Sequence, residues 1–414
     1  MIVRKIKSWL LIQFFWPMII VGTWNTGLCE TINVGTVAEL ENAIAYANNS
    51  GGNKTILLED GTYTLKDTLY LNASNVTVGS QSGNRTKVII QGDAMSSSAR
   101  VGNIFRVAGS HFQIRDVTLQ KCGWHTIQIV GEQNADFPVI RNCVLRDSYE
   151  QLLKVSVDLG NTNIAADNGI VENCLFEYSA GIGPQYYIGG VDAHAAKNWV
   201  VRNNAFRNII SPGGSVAEFA VHFWSNSANN IVEKNLIVNC DRGVGFGLDG
   251  RPNSGGIIRN NMIYHAANKG QYADTGIALT ESPDTAIYNN TIFMQNDFPW
   301  AIEYRFPSTR NVIIANNLTN KTIMARDGAT GTVTNNVTNA SSSWFVDVLN
   351  GDLHLASRIS AVVDKGQAIS GLSDDFDNQS RPEGAGVDIG ADEFVDNVDN
   401  VAPQPPKNLR IIDL

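Results

Sequence analysis

The chain has 414 residues, of which 43% are hydrophobic and 17% charged, with 37 glycines and a formal net charge of −9. This composition allows a long buried core, and the net negative charge argues against nucleic acid as a partner. A polyanionic ligand would therefore need a local basic site.

The N-terminal residues have the order of a secretory signal peptide. Three basic residues precede an apolar run from Trp9 to Val21, and small residues follow it. We expect cleavage near Cys29 and Glu30, so that residues 1–29 form the signal peptide and the protein is secreted, either extracellular or periplasmic. A retained membrane helix is the alternative, but the apolar run is short for a span, and we do not expect an integral membrane protein.

Residues 36–49, TVAELENAIAYANN, predict a helix at the start of the folded region. Thr36 and Glu39 have the spacing of a capping box. The apolar face of this helix would consist of Ala38, Leu40, Ala43, Ile44 and Ala47. We expect it to act as an N-terminal capping helix that covers the exposed edge of the β-structure after it.

One short phrase recurs between about residue 114 and residue 338: an aliphatic residue, a polar residue, then often Asn-Asn or Asn-Cys, and an apolar pair. Its fourth positions are Val117, Cys143, Cys174, Asn204, Asn235, Asn261, Asn290, Asn317 and Asn336. The copies lie roughly 20 to 30 residues apart, which suits one turn of a solenoid. Because apolar residues alternate with period two, each turn predicts a few short strands stacked in parallel. The Asn residues are predicted to form a structural ladder between coils.

These Asn-containing turns resemble the pectate-lyase-like superfamily of right-handed parallel β-helices over roughly residues 31–395. The resemblance implies an all-β fold, a single-stranded right-handed parallel β-helix (solenoid) that we assign to residues 30–395. The segment DIGADEF at residues 388–394 resembles the closing motif of many secreted β-helix proteins. Residues 396–414 are predicted to be a C-terminal linker or tail, which resembles the entry to a further, fibronectin-like module.

Four cysteines follow the predicted cleavage site: Cys122, Cys143, Cys174 and Cys240. Cys143 and Cys174 occupy the same position in adjacent coils, where we expect them to stack in the core as small apolar groups. A disulfide is the alternative in an exporting compartment, whereas a metal site is not expected without CxxC spacing.

One strand per coil can be aligned into a column whose outer face is the expected place for chemistry. The aligned segments are HTIQIV, QLLKVS, GGVDAH, FAVHFW, RGVGFG, TGIALT and WAIEYR, ending at residues 130, 156, 194, 224, 247, 280 and 305. Their third and fifth residues are apolar or small and are predicted to point into the core. The fourth residues form one outward row, Gln128, Lys154, Asp192, His222, Gly245, Ala278 and Glu303, and the sixth form the next, Val130, Ser156, His194, Trp224, Gly247, Thr280 and Arg305.

Neighbouring coils lie about 4.8 Å apart, so Lys154, Asp192 and His222 should be consecutive neighbours, with His194 and Trp224 beside them. We predict that this patch is a ligand site. The row before it is nearly all small and is expected to form the floor of a shallow trough: Leu152, Gly190, Ala220, Gly243, Gly276 and Ala301. Trp224 would stack on a sugar ring, and Glu303 and Arg242 are further predicted substrate contacts.

Glu218, Asp241 and Asp274 fall on consecutive coils across this trough. Three carboxylates so placed repel one another unless a cation lies between them, so they form a candidate Ca²⁺ site. The alternatives are solvated carboxylates and pairing with Arg242.

A long trough with a polar lining in a secreted protein suggests a polysaccharide ligand. β-Elimination on a uronic-acid chain needs a base for the C5 proton and a cation for the neighbouring carboxylate. His222 or His194, positioned by Asp192, is the predicted base, and Lys154, Arg305 or Ca²⁺ would neutralise the carboxylate. The face is also similar to that of the alginate lyase and chondroitinase B family, which carries a Lys where Lys154 stands and uses Ca²⁺.

Three other functions compete with that of a polysaccharide lyase. A glycoside hydrolase needs two carboxyl groups roughly 5 to 10 Å apart; Asp192 and Glu303 would be about 14 Å apart, which leaves only Asp192 with Glu218. A polysaccharide C5-epimerase would share the proton abstraction. A non-catalytic cell-surface protein would bind glycans through the same face. We expect a monomer in each case.

Overall fold

The structure, a computed structural model, describes residues 29–395. Residues 1–28 of the predicted signal peptide and the predicted tail at 396–414 lie outside the described residues. Most strands belong to three long sheets, of 12, 10 and 10 strands, and most coils of the chain contribute one strand to each sheet.

The first sheet contains β1 (Glu30–Val34), β2 (Lys54–Leu58), β5 (Val76–Ser80), β8 (Gln113–Arg115), β11 (Val139–Arg141), β14 (Ile170–Glu172), β17 (Val200–Arg202), β21 (Ile231–Glu233), β25 (Ile257–Arg259), β28 (Ala286–Tyr288), β31 (Val312–Ala315) and β34 (Gly331–Thr334). The second contains β4 (Leu69–Leu71), β7 (Phe105–Val107), β10 (Ile127–Val130), β13 (Leu153–Ser156), β16 (Val191–His194), β19 (Val221–Trp224), β23 (Val244–Phe246), β27 (Ile277–Thr280), β30 (Trp300–Arg305) and β33 (Thr322–Arg326). The third contains β3 (Gly61–Thr64), β6 (Val88–Gln91), β9 (Thr118–Cys122), β12 (Val144–Ser148), β15 (Leu175–Glu177), β18 (Ala205–Arg207), β22 (Leu236–Val238), β26 (Met262–His265), β29 (Thr291–Met294) and β32 (Leu318–Thr319).

Shorter elements complete the fold. Strands β20 (Ser227–Ala228) and β24 (Asn253–Ser254) form a small parallel pair, and β35 (Phe345–Asp347) and β36 (Asp352–Leu355) form an antiparallel hairpin. Three 3₁₀ turns span Gly131–Gln133, Ser342–Trp344 and Val348–Asn350. Within the three long sheets neighbouring strands pair in parallel, so the predicted right-handed parallel β-helix is confirmed.

Helix α1 (Val37–Asn49) follows the first strand and packs on β1, β2 and β4, at the N-terminal end of the solenoid. The capping box is present, because the Thr36 hydroxyl accepts the Glu39 N–H and the Glu39 carboxylate accepts the Thr36 N–H. Leu40, Ala43, Ile44 and Ala47 are buried as predicted. Ala38 is exposed, so the buried face is narrower than the sequence suggested.

The recurring Asn-Asn pairs serve two separate structural purposes. The second Asn is buried and donates its amide to the Oδ1 of the same residue one coil further on, as Asn235 does to Asn261 over 3.0 Å. The first residue of each pair bends the chain in the left-handed region, with φ of 54° at Asn203 and 52° at Asn260. Asn tolerates that conformation better than most residues. The predicted structural role of the Asn ladder is therefore confirmed.

Towards the N-terminus, Cys143 and Cys174 occupy the positions that Asn residues occupy in the later coils. Cys143 and Cys174 are buried and unoxidised, and the Cys143 N–H lies 3.4 Å from the Cys174 sulfur. The Cys174 N–H in turn donates to Asn204 Oδ1. These contacts agree with the prediction that both cysteines are core residues rather than a disulfide.

The closing segment at residues 388–394 packs on the outer face of the third sheet. Its acidic side chains hold it in place through hydrogen bonds and an ion pair. Asp388 accepts backbone N–H groups from Asp364 and Phe394. Glu393 is paired with the fully buried Arg381. DIGADEF is therefore a capping segment, in line with its resemblance to a closing motif. No helix among residues 29–395 is long and apolar enough to cross a membrane.

Candidate functional site

The outward rows lie in the predicted register. Lys154 is opposite Asp192, Asp192 is opposite His222, and His194 is opposite Trp224 on strands β13, β16 and β19. Residues that are partners across parallel strands point to the same face of the sheet, so these side chains form one patch. Their exposure differs from the prediction. Asp192 is 1%, His222 0% and Trp224 5% exposed, so most of the patch is covered rather than open to solvent.

Lys154 and Asp192 form a buried ion pair at the centre of the patch. The second carboxylate oxygen of Asp192 accepts the indole N–H of Trp224 over 2.6 Å. Burial by itself raises the pKa of Asp192, but the charge and hydrogen bond of Lys154, together with the two neighbouring histidines, outweigh burial and hold that pKa well below its ordinary value. Burial likewise opposes charge on Lys154, while Asp192 raises the lysine pKa above its usual range. Both groups therefore stay ionised at neutral pH.

His194 is held neutral by its surroundings. Burial lowers the pKa of His194 to about 3. Its Nε2 lies 2.9 Å from Lys154 Nζ, which can only donate, so Nε2 accepts and Nδ1 carries the proton that points to Ser225 Oγ. Both ring nitrogens are thus engaged, and His194 is not placed to remove a proton from a substrate.

His222 is different, because its Nδ1 faces a carboxylate oxygen without forming a hydrogen bond to it. Nε2 lies 3.2 Å from the Gly247 carbonyl oxygen, which can only accept, so Nε2 carries a proton. Nδ1 then faces Glu218 Oε2 at 3.3 Å, outside hydrogen-bond alignment. A bare lone pair beside a carboxylate oxygen is repulsive. A proton or a donor group from a ligand between the two atoms removes that repulsion.

Trp224 is enclosed on its faces. Its ring lies 4.9 Å from that of His222 at an interplanar angle of 8°, and 4.3 Å from that of His194. The Arg251 guanidinium lies 5.0 Å from the indole centroid. Trp224 is 5% exposed among these neighbours, and its stacking on a sugar stays a prediction from the sequence.

Phe219 is the main cover over His222. The two rings are 4.8 Å apart, and a Cβ added at Gly245 would lie 2.6 Å from the Phe219 ring, so the ring also fills the place of a Gly245 side chain. The Arg242 guanidinium lies 4.9 Å from the centroid of the Phe219 ring. Phe219 precedes the strand in an irregular segment, which explains why alternation counting did not identify it.

Four buried polar atoms beside this cover have no hydrogen-bond partner among the described residues. They are Nε2 and Oε1 of Gln151, Oε2 of Glu218 and Nδ1 of His222. Gln151 and Glu218 flank the bare Cα of Gly189, where a Cβ would lie 3.2 and 3.1 Å from their side chains. Buried polar atoms are rarely left unpaired in folded proteins. Their convergence marks this point as a candidate polar ligand site.

Tyr187 lies at the rim of the same cluster and is 37% exposed. Partial burial raises the pKa of its phenol, Lys154 lowers it, Asp192 and Glu218 raise it, and the nearby Gln151 side chain, although outside good hydrogen-bond alignment, lowers it slightly. The net effect is a raised pKa, so Tyr187 stays protonated at neutral pH. The sequence analysis identified neither Gln151 nor Tyr187. Gln151 stands first in the aligned segment QLLKVS, two residues before the strand begins, where alternation does not give the direction of a side chain, and Tyr187 lies before the aligned segment GGVDAH.

The predicted trough floor is also corrected by the structure. A Cβ added at Gly190 would lie 2.8 Å from the Phe206 ring, and one at Gly243 would lie 3.2 Å from Ile263 Cδ1. Phe206 and Ile263 belong to the core. The small row therefore lines the inside of the corner between two sheets, where the chain bends and strict alternation ends.

Glu218, Asp241 and Asp274 each face a different group rather than one another. Asp274 pairs with Arg242 over 3.0 Å, one of the alternatives considered for it. Asp241 accepts N–H groups from Ser211 and Ala217, and Glu218 faces His222. Calcium binding by these carboxylates stays a prediction from the sequence.

Arg305 and Glu303 are not brought to the patch. Arg305 pairs with Asp327 and Glu303 with Arg326, both on the C-terminal side of the solenoid. Strand β30 is four coils from β16, so Glu303 and Asp192 are roughly 19 Å apart rather than the 14 Å expected from the sequence, and Lys154 on β13 is one coil further away. Neither side chain can therefore contact the same sugar as Lys154.

Residues 167–344 match the family described as periplasmic copper-binding protein (NosD). No curated protein matches. Pectate lyase Pel9A has a TM-score of 0.47 at 14% identity, covering 85% of this chain and 91% of that chain.

Two further solved structures show the range of relatives. A mannuronic acid specific polysaccharide family 6 lyase from human gut microbiota has a TM-score of 0.43 at 15% identity, covering 74% of this chain and 79% of that chain. PfbA, a surface adhesin of Streptococcus pneumoniae, has 0.40 at 12% identity, covering 73% and 90%. The structure neighbours include right-handed β-helices of the pectate lyase and alginate lyase type.

Proposed function

We propose that the protein is a secreted polysaccharide lyase that cleaves a uronic-acid-containing glycan by β-elimination at the face formed by β13, β16 and β19. The observation that supports the proposal is the group of buried, unpartnered polar atoms of Gln151, Glu218 and His222 beside Lys154. Hydroxyl groups of a uronate can donate to the acceptors among these atoms, and its carboxylate can accept from Gln151 Nε2. Pairing removes the cost of leaving the atoms buried and unbonded.

The base in this proposal is the Glu218–His222 pair rather than a single histidine. Glu218 has a side chain that is 21% exposed, while His222 lies fully buried behind it. The pair gains electrostatically from one additional proton, so it accepts the C5 proton of the uronate. His222 acts through Glu218, because a proton gained by the pair can lie between Nδ1 and the inner carboxylate oxygen, which are 3.3 Å apart.

Lys154 supplies the positive charge for the substrate carboxylate. Its ammonium has three donors, of which two point to Asp192 and His194, and its side chain is 12% exposed. Arg242, which is 20% exposed, is a second cation on the same face. As the C4–O bond breaks, the Tyr187 hydroxyl donates a proton to the leaving oxygen, and the product carries a C4–C5 double bond.

The alternative of a glycoside hydrolase using Asp192 and Glu218 is weaker on this geometry. A general acid must carry a proton, whereas the pKa of Asp192 is held low and both of its oxygens are engaged by Lys154 and Trp224. Asp192 is better placed to orient Lys154.

The test is ultraviolet absorbance of the unsaturated product while the purified chain is incubated with alginate, pectate or a glycosaminoglycan, with and without Ca²⁺. We expect absorbance to rise on one polymer and to be lost in Glu218→Gln. Glu41→Gln, an exposed change on α1, is the matched control and should keep full activity. No rise on any polymer would overturn the lyase proposal.

One observation favours a second candidate function. Asp192, His222 and Trp224 are almost fully buried, which suits a rigid binding face as well as a catalytic one. In a non-catalytic glycan-binding protein, a polymer would be retained on an affinity gel without any product, and Glu218→Gln would weaken retention. A C5-epimerase would instead exchange the C5 hydrogen with solvent deuterium without producing absorbance.

A further inference from the structure

Three separate segments of the C-terminal cap meet at His354. The histidine is on β36, Asp377 is in the turn between residues 373 and 380, and Asp392 is in the closing segment. One ligand-type atom from each of the three side chains lies within 4.8 Å of the other two. Among the described residues this is the only such group of His, Cys, Asp and Glu side chains.

The His354 ring is fixed from both sides. Nε2 lies 2.7 Å from Asp377 Oδ2, and Nδ1 is bonded to Asp352 Oδ1. Phe376 packs edge-on against the ring at 5.7 Å. An imidazole whose Nδ1 proton is held by a carboxylate, with Nε2 directed at other oxygen ligands, has the outer-sphere geometry of metal-bound histidines in proteins.

The charges at this point do not balance. Asp352, Asp377 and Asp392 bring three carboxylates to one histidine, and Asp392 is only 8% exposed. A single imidazolium would offset one of three negative charges. A divalent cation bound to a neutral His354 would offset two, which is the cheaper arrangement for buried charge.

We propose that His354, Asp377 and Asp392 bind a divalent transition metal ion, Zn²⁺ being the best match to one imidazole and two carboxylates. Asp352 holds the Nδ1 proton, and the Leu355 N–H fixes Asp392 through a 2.8 Å hydrogen bond. A water would complete the four-coordinate shell. The site is structural, because the ion links the hairpin, the turn and the closing segment that together cover the outer face of the third sheet.

This inference is independent of the proposed lyase site. His354, Asp377 and Asp392 lie in the cap, on segments that contribute nothing to β13, β16 or β19. The structure also permits an arrangement without metal, in which a doubly protonated His354 bridges Asp352 and Asp377. The two arrangements predict different metal contents.

The experiment is metal analysis of the purified chain after removal of metal with a chelator and reloading with Zn²⁺, followed by gel filtration. We expect about one Zn²⁺ per chain, a rise in Tm with added Zn²⁺, and a tetrahedral visible spectrum when Co²⁺ replaces Zn²⁺. Asp377→Asn should lose all three signals. Asp347→Asn, a half-buried carboxylate on the same hairpin that bonds Asn350 rather than His354, should keep them.

A second variant protects the test against simple unfolding. Asp392→Asn keeps the shape of the side chain, and near-ultraviolet circular dichroism would establish that the cap is folded. Binding that survives in folded Asp377→Asn and Asp392→Asn would overturn the proposal. So would a chain that retains no Zn²⁺ and shows no Tm response, which would instead favour the doubly protonated histidine.

Discussion

Glu218 Oε2 lies 3.3 Å from His222 Nδ1, while Nε2 of the same ring faces the Gly247 carbonyl oxygen. The carbonyl fixes the tautomer and leaves the carboxylate opposite a nitrogen without a proton, unless one is supplied. The relationship between these two residues is the basis of the proposed proton abstraction.

The Glu218–His222 pair should behave as one unit in turnover. We expect Glu218→Gln and His222→Gln each to lower kcat by about 100-fold or more, and the double variant to lower it little further than either single variant. Steady-state kinetics on the polymer identified by absorbance would measure this. Independent, multiplying losses would contradict a shared role.

Removing one partner of the buried Lys154–Asp192 ion pair should lower the free energy of unfolding, because the other charge is left buried and unpaired. Asp192→Asn leaves the Lys154 ammonium, whose side chain is only 12% exposed, without a counter-charge. We expect a loss of about 3 kcal/mol in the free energy of unfolding, measured by urea denaturation. The double variant Lys154→Met, Asp192→Asn should recover part of that loss, and a double variant less stable than Asp192→Asn would contradict the account.

Acid should destabilise the protein through buried neutral histidines. Burial lowers the pKa from 6.5 to about 3 for His194 and about 4 for His125 and His265. A histidine with a lowered folded pKa contributes stability that is present above its unfolded pKa and lost as pH falls through 6.5 towards the folded value. The urea concentration at the midpoint of unfolding should therefore decrease as the pH is lowered from 7 to about 4.5. His265→Gln, far from the site, should make that fall shallower, and an unchanged slope would argue against this source.

The Asn ladder should be more sensitive than the turns beside it. Asn235 bonds Val201 O and Asn261 Oδ1 and accepts from Asn204. Asn235→Ala leaves several buried groups unpaired and should cost about 3 kcal/mol. Asn203→Gly is the matched control, because glycine adopts the positive φ at that position freely. It should cost less than about 1 kcal/mol. Equal losses in the free energy of unfolding for the two variants would contradict the separate roles of the two Asn positions.

Arg106 should extend the substrate face towards the N-terminus. Tyr70, Arg106 and Gln128 continue the row of Lys154 on successive coils, and the Arg106 guanidinium lies 5.9 Å from the ring of the exposed Tyr70. Coils about 4.8 Å apart place Arg106 roughly 10 Å from Lys154. We expect Arg106→Ala to raise KM for a long polyuronate several-fold and to leave kcat unchanged. Arg310→Ala, outside this row, is the control, and an unchanged KM would limit the face to the coils around Lys154.

Much of the fold was determined locally by the sequence. Alternation of apolar residues with period two, Asn pairs at each turn and the Thr36–Glu39 box set the strands, the ladder and α1, because each depends on neighbours along the chain or on the same position one coil away. The register of Lys154, Asp192 and His222 followed from the same repetition.

Only the tertiary structure decided what covers that row and what stands beside it. Arg251 and Tyr187 reach the patch from irregular segments outside the aligned columns. Gln151 and Phe219 stand first in the aligned segments QLLKVS and FAVHFW, but two residues before the strands begin, where alternation does not give the direction of a side chain. The small residues at Gly190 and Gly243 face inward because the chain bends at a corner, where counting alternate residues no longer gives the direction of a side chain. His354, Asp377 and Asp392 meet for a similar reason: they come from three segments outside the repeat, and only the packing of the cap brings them together.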